Sequence, residues 1–108
     1  MKTIIRILVA TSCLFMAGQA VALDAKAAEA LAQKNGCLAC HTIKQKVIGP
    51  ALQDIAAKYR GEQGAEAKLI GRVKNGTSGV WGPVPMRPNS PQVKDEDIKL
   101  IVQWILTL

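Results

Sequence analysis

Five consecutive residues, Cys37-Leu38-Ala39-Cys40-His41, carry the densest chemistry in the chain. Two thiols three positions apart can each add across one vinyl group of a haem. The imidazole directly after the second cysteine then falls under the iron as its proximal ligand. His41 is the only histidine of the sequence, so no other imidazole competes for that position. Other uses of these side chains fit less well. A structural zinc site takes four Cys or His ligands in a tetrahedron, and beyond this segment the chain offers only Cys13. A redox-active dithiol also uses Cys-x-x-Cys, but in a strand–helix–strand setting. The flanking sequence reads as helical.

An iron with one histidine ligand either keeps an open site for reactions or takes a second protein ligand. After residue 22 the chain has one methionine, Met86. A lone methionine usually fills a gap in a core. Met86, however, sits between Pro85 and Arg87 in a rigid loop and on no apolar helical face. It is the candidate sixth ligand, whose thioether would favour ferrous iron and raise the potential. The prolines around it reduce the freedom lost on binding.

The elements that must position these groups are helical. Asp24 can cap a helix over 24–35, with Gly36 as its stop. Residues 42–50 are irregular and end in Gly49-Pro50, which punctuates the chain. Leu52, Ile55 and Ala56 share one face of a short helix over 51–59. Leu69, Ile70 and Val73 do the same over 66–74, where Asn75-Gly76 stops the helix. The last helix spans 95–107, with Asp95, Glu96 and Asp97 at its positive end and a stripe of Ile98, Ile101, Val102 and Ile105. Between these helices, residues 76–91 hold four of the five prolines and three glycines, which suits neither helix nor paired strand. A long loop of this kind in a small domain is usually functional.

Residues 1–22 read as a secretory signal: Lys2 and Arg6 are followed by an apolar run over 7–17 and by Ala20-Val21-Ala22, a small-residue cleavage site. The apolar run is short for a membrane span. Lipid attachment at Cys13 is the alternative, but Ala10-Thr11-Ser12 matches a lipobox poorly. Cleavage leaves one domain, 23–108, with 12 basic and 8 acidic residues, a net charge of +4. Lys and Arg are dispersed, which is not a nucleic-acid-binding profile. A chain this small buries a modest core and often needs a staple, a metal or a cofactor to hold it.

In order and spacing, Gly36-Cys37-Leu38-Ala39-Cys40-His41, Gly49-Pro50, Asn75-Gly76, Trp81-Gly82-Pro83-Val84-Pro85-Met86 and Trp104 resemble the small class I bacterial c-type cytochromes. The similarity is closest to the periplasmic carriers that serve terminal reductases or oxidases such as nitrite reductase. It covers nearly all of 23–108. It implies that the Pro50 carbonyl accepts from the His41 ring, that Arg72 and Trp81 meet a haem propionate, and that Asn89 donates to the Met86 sulfur. Read without the resemblance, these four are a turn proline, a solvated charge, a loop anchor and a turn asparagine. Two positions depart from the pattern: Arg87 stands where relatives carry proline, and Lys94 stands where a capping serine is common, leaving Asp95 to cap.

The expectation is therefore an all-α cytochrome c fold of about four helices around one covalent haem c. It is no enzyme but a periplasmic monomer that shuttles single electrons by transient docking. Neither nucleic acid nor membrane insertion is expected. Lys34, Lys44 and Lys46 lie near the attachment segment and are candidates to rim an exposed haem edge. An open-site peroxidase or gas sensor, and a subunit fixed to one oxidoreductase, are the rival functions.

Overall fold

The computed structural model describes residues 23–108, so the leader, its cleavage site and Cys13 lie outside the described residues. Asp24 opens the first helix as expected, its carboxylate accepting from the Ala27 N–H at 3.1 Å. Helix α1 runs Ala25–Lys34. It ends where Asn35 closes on the Leu31 carbonyl and Gly36 turns left-handed at φ 77°, a conformation that costs glycine nothing. A single 3₁₀ turn, Cys37–Ala39, follows at once. The alternation of apolar faces then yields α2 (Leu52–Tyr59), α3 (Ala65–Asn75) and α4 (Asp95–Ile105), each within a residue or two of its expected limits. Among the described residues there is no strand, only two isolated antiparallel bridges, His41–Lys46 and Thr77–Met86. That excludes the strand–helix–strand setting of a thioredoxin-like dithiol.

Helix α4 is the axis of the packing and lies against α1, α2 and α3. Ile101, Trp104 and Ile105 join Ala28, Ala32 and Leu52 in one buried cluster. Ile98 and Val102 join Tyr59, Ala65, Leu69 and Val93 in a second. Among the described residues the only buried side chains that carry a polar group are the aromatic Tyr59 and Trp104, and none is charged. At the start of α4 the expectation needs correction: Lys94 holds the N-cap position and no side chain caps the helix. The Asp95 carboxylate instead pairs with Lys74 Nζ at 3.0 Å, at the end of α3. The charge there favours a partner distant in sequence over the local backbone.

The proline-rich loop makes no helix or extended strand, but it is tied down. Met86 N–H donates to the Thr77 carbonyl at 2.8 Å and Thr77 N–H to the Met86 carbonyl at 3.1 Å. Further on, the N–H groups of Asn89 and Ser90 donate to the Val73 and Lys74 carbonyls at 3.0 and 3.2 Å. The last turn of α3, whose carbonyls lack helical partners, is thus closed by the loop that carries Met86.

Candidate haem site

A cavity of about 950 Å³ opens between the helices and the loop. Its walls include Cys37, Cys40, His41, Pro50, Arg72, Trp81, Met86 and Asn89, so every site residue expected from the sequence meets in one place. Leu52, Leu69, Ile101 and Val102 supply the apolar surface behind them. A cavity at the upper end of the usual range for ligand pockets, with an apolar back and few polar groups, suits a large flat cofactor.

The 3₁₀ turn presents both cysteines to the cavity, partly buried and outside any disulfide. Burial pushes the Cys37 thiol above its ordinary range, and the neighbouring Cys40 adds to the shift against a backbone hydrogen bond that opposes it. Cys37 is thus held as a neutral thiol, and addition to a vinyl group would end its titration. His41 follows, with Nδ1 2.8 Å from the Pro50 carbonyl oxygen. A carbonyl can only accept, so Nδ1 carries the proton and Nε2 keeps the lone pair that binds a metal. Gly49 makes room for the ring: a Cβ there would lie 2.5 Å from His41 Cε1. Met86 is held through its backbone by Thr77. Gly76, at φ 77°, lets that contact form, because a Cβ would lie 2.7 Å from the Met86 carbonyl oxygen.

Lys46, Arg72 and Arg87 line the cavity while no Asp or Glu does, a balance that fits a group bringing two propionates. Arg72 Nη1 donates to the Tyr59 hydroxyl, and its guanidinium lies 5.5 Å from the centre of that ring. Trp81 is 37% exposed with Lys58 Nζ 5.7 Å from its ring centre. Asn89 Nδ2 lies 3.2 Å from both the Val73 and Arg87 carbonyl oxygens. No cluster of three or more His, Cys, Asp or Glu suited to a bare metal ion occurs among the described residues. The residues present therefore fit a haem. Sequence reasoning missed Tyr59, Thr77 and the space that Gly49 leaves. Without the family resemblance, which put the Pro50 carbonyl on His41, Gly49-Pro50 was visible as punctuation alone, and nothing in the sequence pairs Thr77 with Met86.

Comparison with known proteins agrees with this geometry. Residues 25–108 match the cytochrome c family. The chain is 52% identical over 99 residues to cytochrome c-552 of Nitrosomonas europaea, covering 92% of this chain and 90% of that protein. It is 49% identical over 79 residues to cytochrome c-551 of Pseudomonas aeruginosa, covering 73% and 74%. The crystal structure of the wild-type Nitrosomonas europaea cytochrome c552 superposes with a TM-score of 0.71 at 54% identity, over 74% of this chain and 98% of that one. With its four helices, its Cys-x-x-Cys-His turn and relatives that carry electrons and are not enzymes, the chain belongs to the cytochrome c family as a small class I member with covalent haem c.

Proposed function

We propose that this cytochrome is a monomer that shuttles single electrons in the periplasm, from respiratory donors to a terminal reductase or oxidase such as a nitrite reductase. The observation that carries this reading is that His41, with Nε2 free, and Met86, braced by Thr77, line one cavity. The bound haem supplies a one-electron iron couple. Cys37 and Cys40 hold it covalently, while His41 and Met86 ligate the iron and leave no open position for a substrate. Pro50 fixes the His41 tautomer and strengthens the ligand. Arg72 and Trp81, both on the cavity wall, would take up a propionate. Asn89 ties the Met86 loop to α3 through its side-chain amide, which lies 3.2 Å from both the Val73 and Arg87 carbonyl oxygens, and donation to the Met86 sulfur would require it to give up one of these bonds.

The lip of the cavity suits brief encounters. Val47, Ile48 and Val84 are 55%, 56% and 61% exposed there, flanked by Lys46 and Arg87, with Lys34 and Lys44 nearby in sequence. Small apolar contacts ringed by charge favour fast, short-lived docking. Delivery to the periplasm rests on the leader, residues 1–22, and no described helix is long and apolar enough to cross a membrane.

The test is spectroscopic. The purified oxidised protein is expected to show the near-infrared sulfur-to-iron band, and the reduced protein to bind carbon monoxide slowly. Its mass is expected to equal residues 23–108 plus one haem. Met86→Ala should abolish the band, lower the potential and open the iron to cyanide. A wild type lacking the band and binding carbon monoxide at once would replace the shuttle with an open-site enzyme or sensor. A mass retaining Cys13 would overturn the soluble periplasmic placement.

A further inference from the structure

We propose that Tyr59, behind the cavity wall, is a positioning residue that holds Arg72 as the fixed counter-charge of the haem and so helps to set its potential. The inference rests on the reading of Arg72 as the partner of a propionate. Tyr59 lies at the end of α2, is 3% exposed, and packs with Leu69, Val93, Ile98 and Val102. It does not line the cavity. Its hydroxyl would be a costly group to bury without a partner, and the partner is Arg72.

Arg72 is one helical turn beyond Leu69 on α3, so its stem leaves the core directly beside the tyrosine ring. An arginine otherwise samples many rotamers. Here one N–H is spent on the tyrosine oxygen while the guanidinium packs against the ring, and four donors remain for the cavity that Arg72 lines.

The surroundings oppose an outward swing. Lys58 places its Nζ 5.9 Å from the centre of the same ring, so a guanidinium leaving the hydroxyl meets like charge, whereas Lys68, equally distant, has its charge offset by Glu62. Glu62 does not offer a ready alternative, because both of its carboxylate oxygens already accept from Lys68, at 3.1 and 3.2 Å. A cation fixed near the iron disfavours the more positive ferric state and raises the potential. A mobile cation, averaged over solvent, does so less.

Tyr59→Phe removes one oxygen and keeps the ring, so the core stays filled. The experiment measures the midpoint potential of the haem-loaded wild type, Tyr59→Phe, Arg72→Gln and the double variant, with thermal unfolding of each alongside. The expected result is a negative shift for Tyr59→Phe, a larger negative shift for Arg72→Gln, and a double variant equal to Arg72→Gln alone. A purely structural tyrosine would lower the melting temperature without that dependence on Arg72. The proposal is overturned if Tyr59→Phe leaves the potential at the wild-type value while Arg72→Gln moves it, or if its shift persists undiminished in the Arg72→Gln background. Should Arg72→Gln itself leave the potential unchanged, the counter-charge reading fails and the role of Tyr59 falls with it.

Discussion

Replacing Gly49 by alanine tests the proximal side through a single methyl group. The added Cβ would lie 2.5 Å from Cε1, 2.8 Å from Nδ1 and 3.1 Å from Nε2 of His41. Attractive carbon contacts begin near ~3.5 Å, so the ring must retreat by about 1 Å. From its present 2.8 Å, the bond to the Pro50 carbonyl cannot survive a retreat of that size away from Pro50. Losing a partly buried hydrogen bond costs about 1–3 kcal/mol, and overpacking adds a further ~1–3 kcal/mol. A loss of about 2–6 kcal/mol is therefore expected, read by guanidinium unfolding of the oxidised protein followed through the haem absorption. Gly71→Ala is the matched control. Gly71 lies within α3 and an added Cβ meets nothing within 4 Å, so alanine should stabilise by roughly 0.5–1 kcal/mol through helix propensity. Opposite signs for two identical substitutions are the expected signature. If Gly49→Ala cost under ~1 kcal/mol and left the potential in place, the reasoning about the ring would be refuted.

Two further outcomes are expected. Gly76→Ala combines a left-handed backbone, φ 77°, with a Cβ 2.7 Å from the Met86 carbonyl oxygen. Strain of about 1–3 kcal/mol from the backbone alone, whose ψ of 167° puts it in a region that only glycine adopts readily, should loosen the loop, weaken the near-infrared sulfur band and speed cyanide binding; an unchanged cyanide rate would separate Met86 from the Thr77 brace. Electron exchange with an acidic partner should slow as salt rises, since the Debye length falls from about 10 Å at 0.1 M to about 3 Å at 1 M, and Arg87→Gln should flatten that dependence. A rate indifferent to salt would remove Lys46 and Arg87 from steering.

The helices were legible because their signals are local. Asp24 caps, Gly36 turns and the stripe of Ile98, Ile101, Val102 and Ile105 buries, each on information within one or two turns. The attachment turn and its histidine were legible for the same reason. What could not be read was decided by contacts distant along the chain. Asp95 left its cap for Lys74, 21 residues away, and Arg72 met Tyr59 across 13. Neither pair has a periodicity. The resemblance to known cytochromes placed Pro50 beside His41, whereas spacing alone described only a turn. Arg87 was visible as a departure from that pattern, and only the three-dimensional structure put its charge on the lip of the cavity.

Helix α4 gives its residues to both buried clusters, with Ile101, Trp104 and Ile105 on one side and Ile98 and Val102 on the other. A helix shared in this way cannot be released from one cluster without stripping the other. The two halves of the core therefore have no separate melting points to express. Damage at the α1 side should be felt at Tyr59, and fluorescence from Trp104 should disappear or return in step with signals from the Met86 loop. The helical core of such a chain is expected to unfold as one cooperative unit, so proteolysis that reaches one cluster in the cell reaches the other with it.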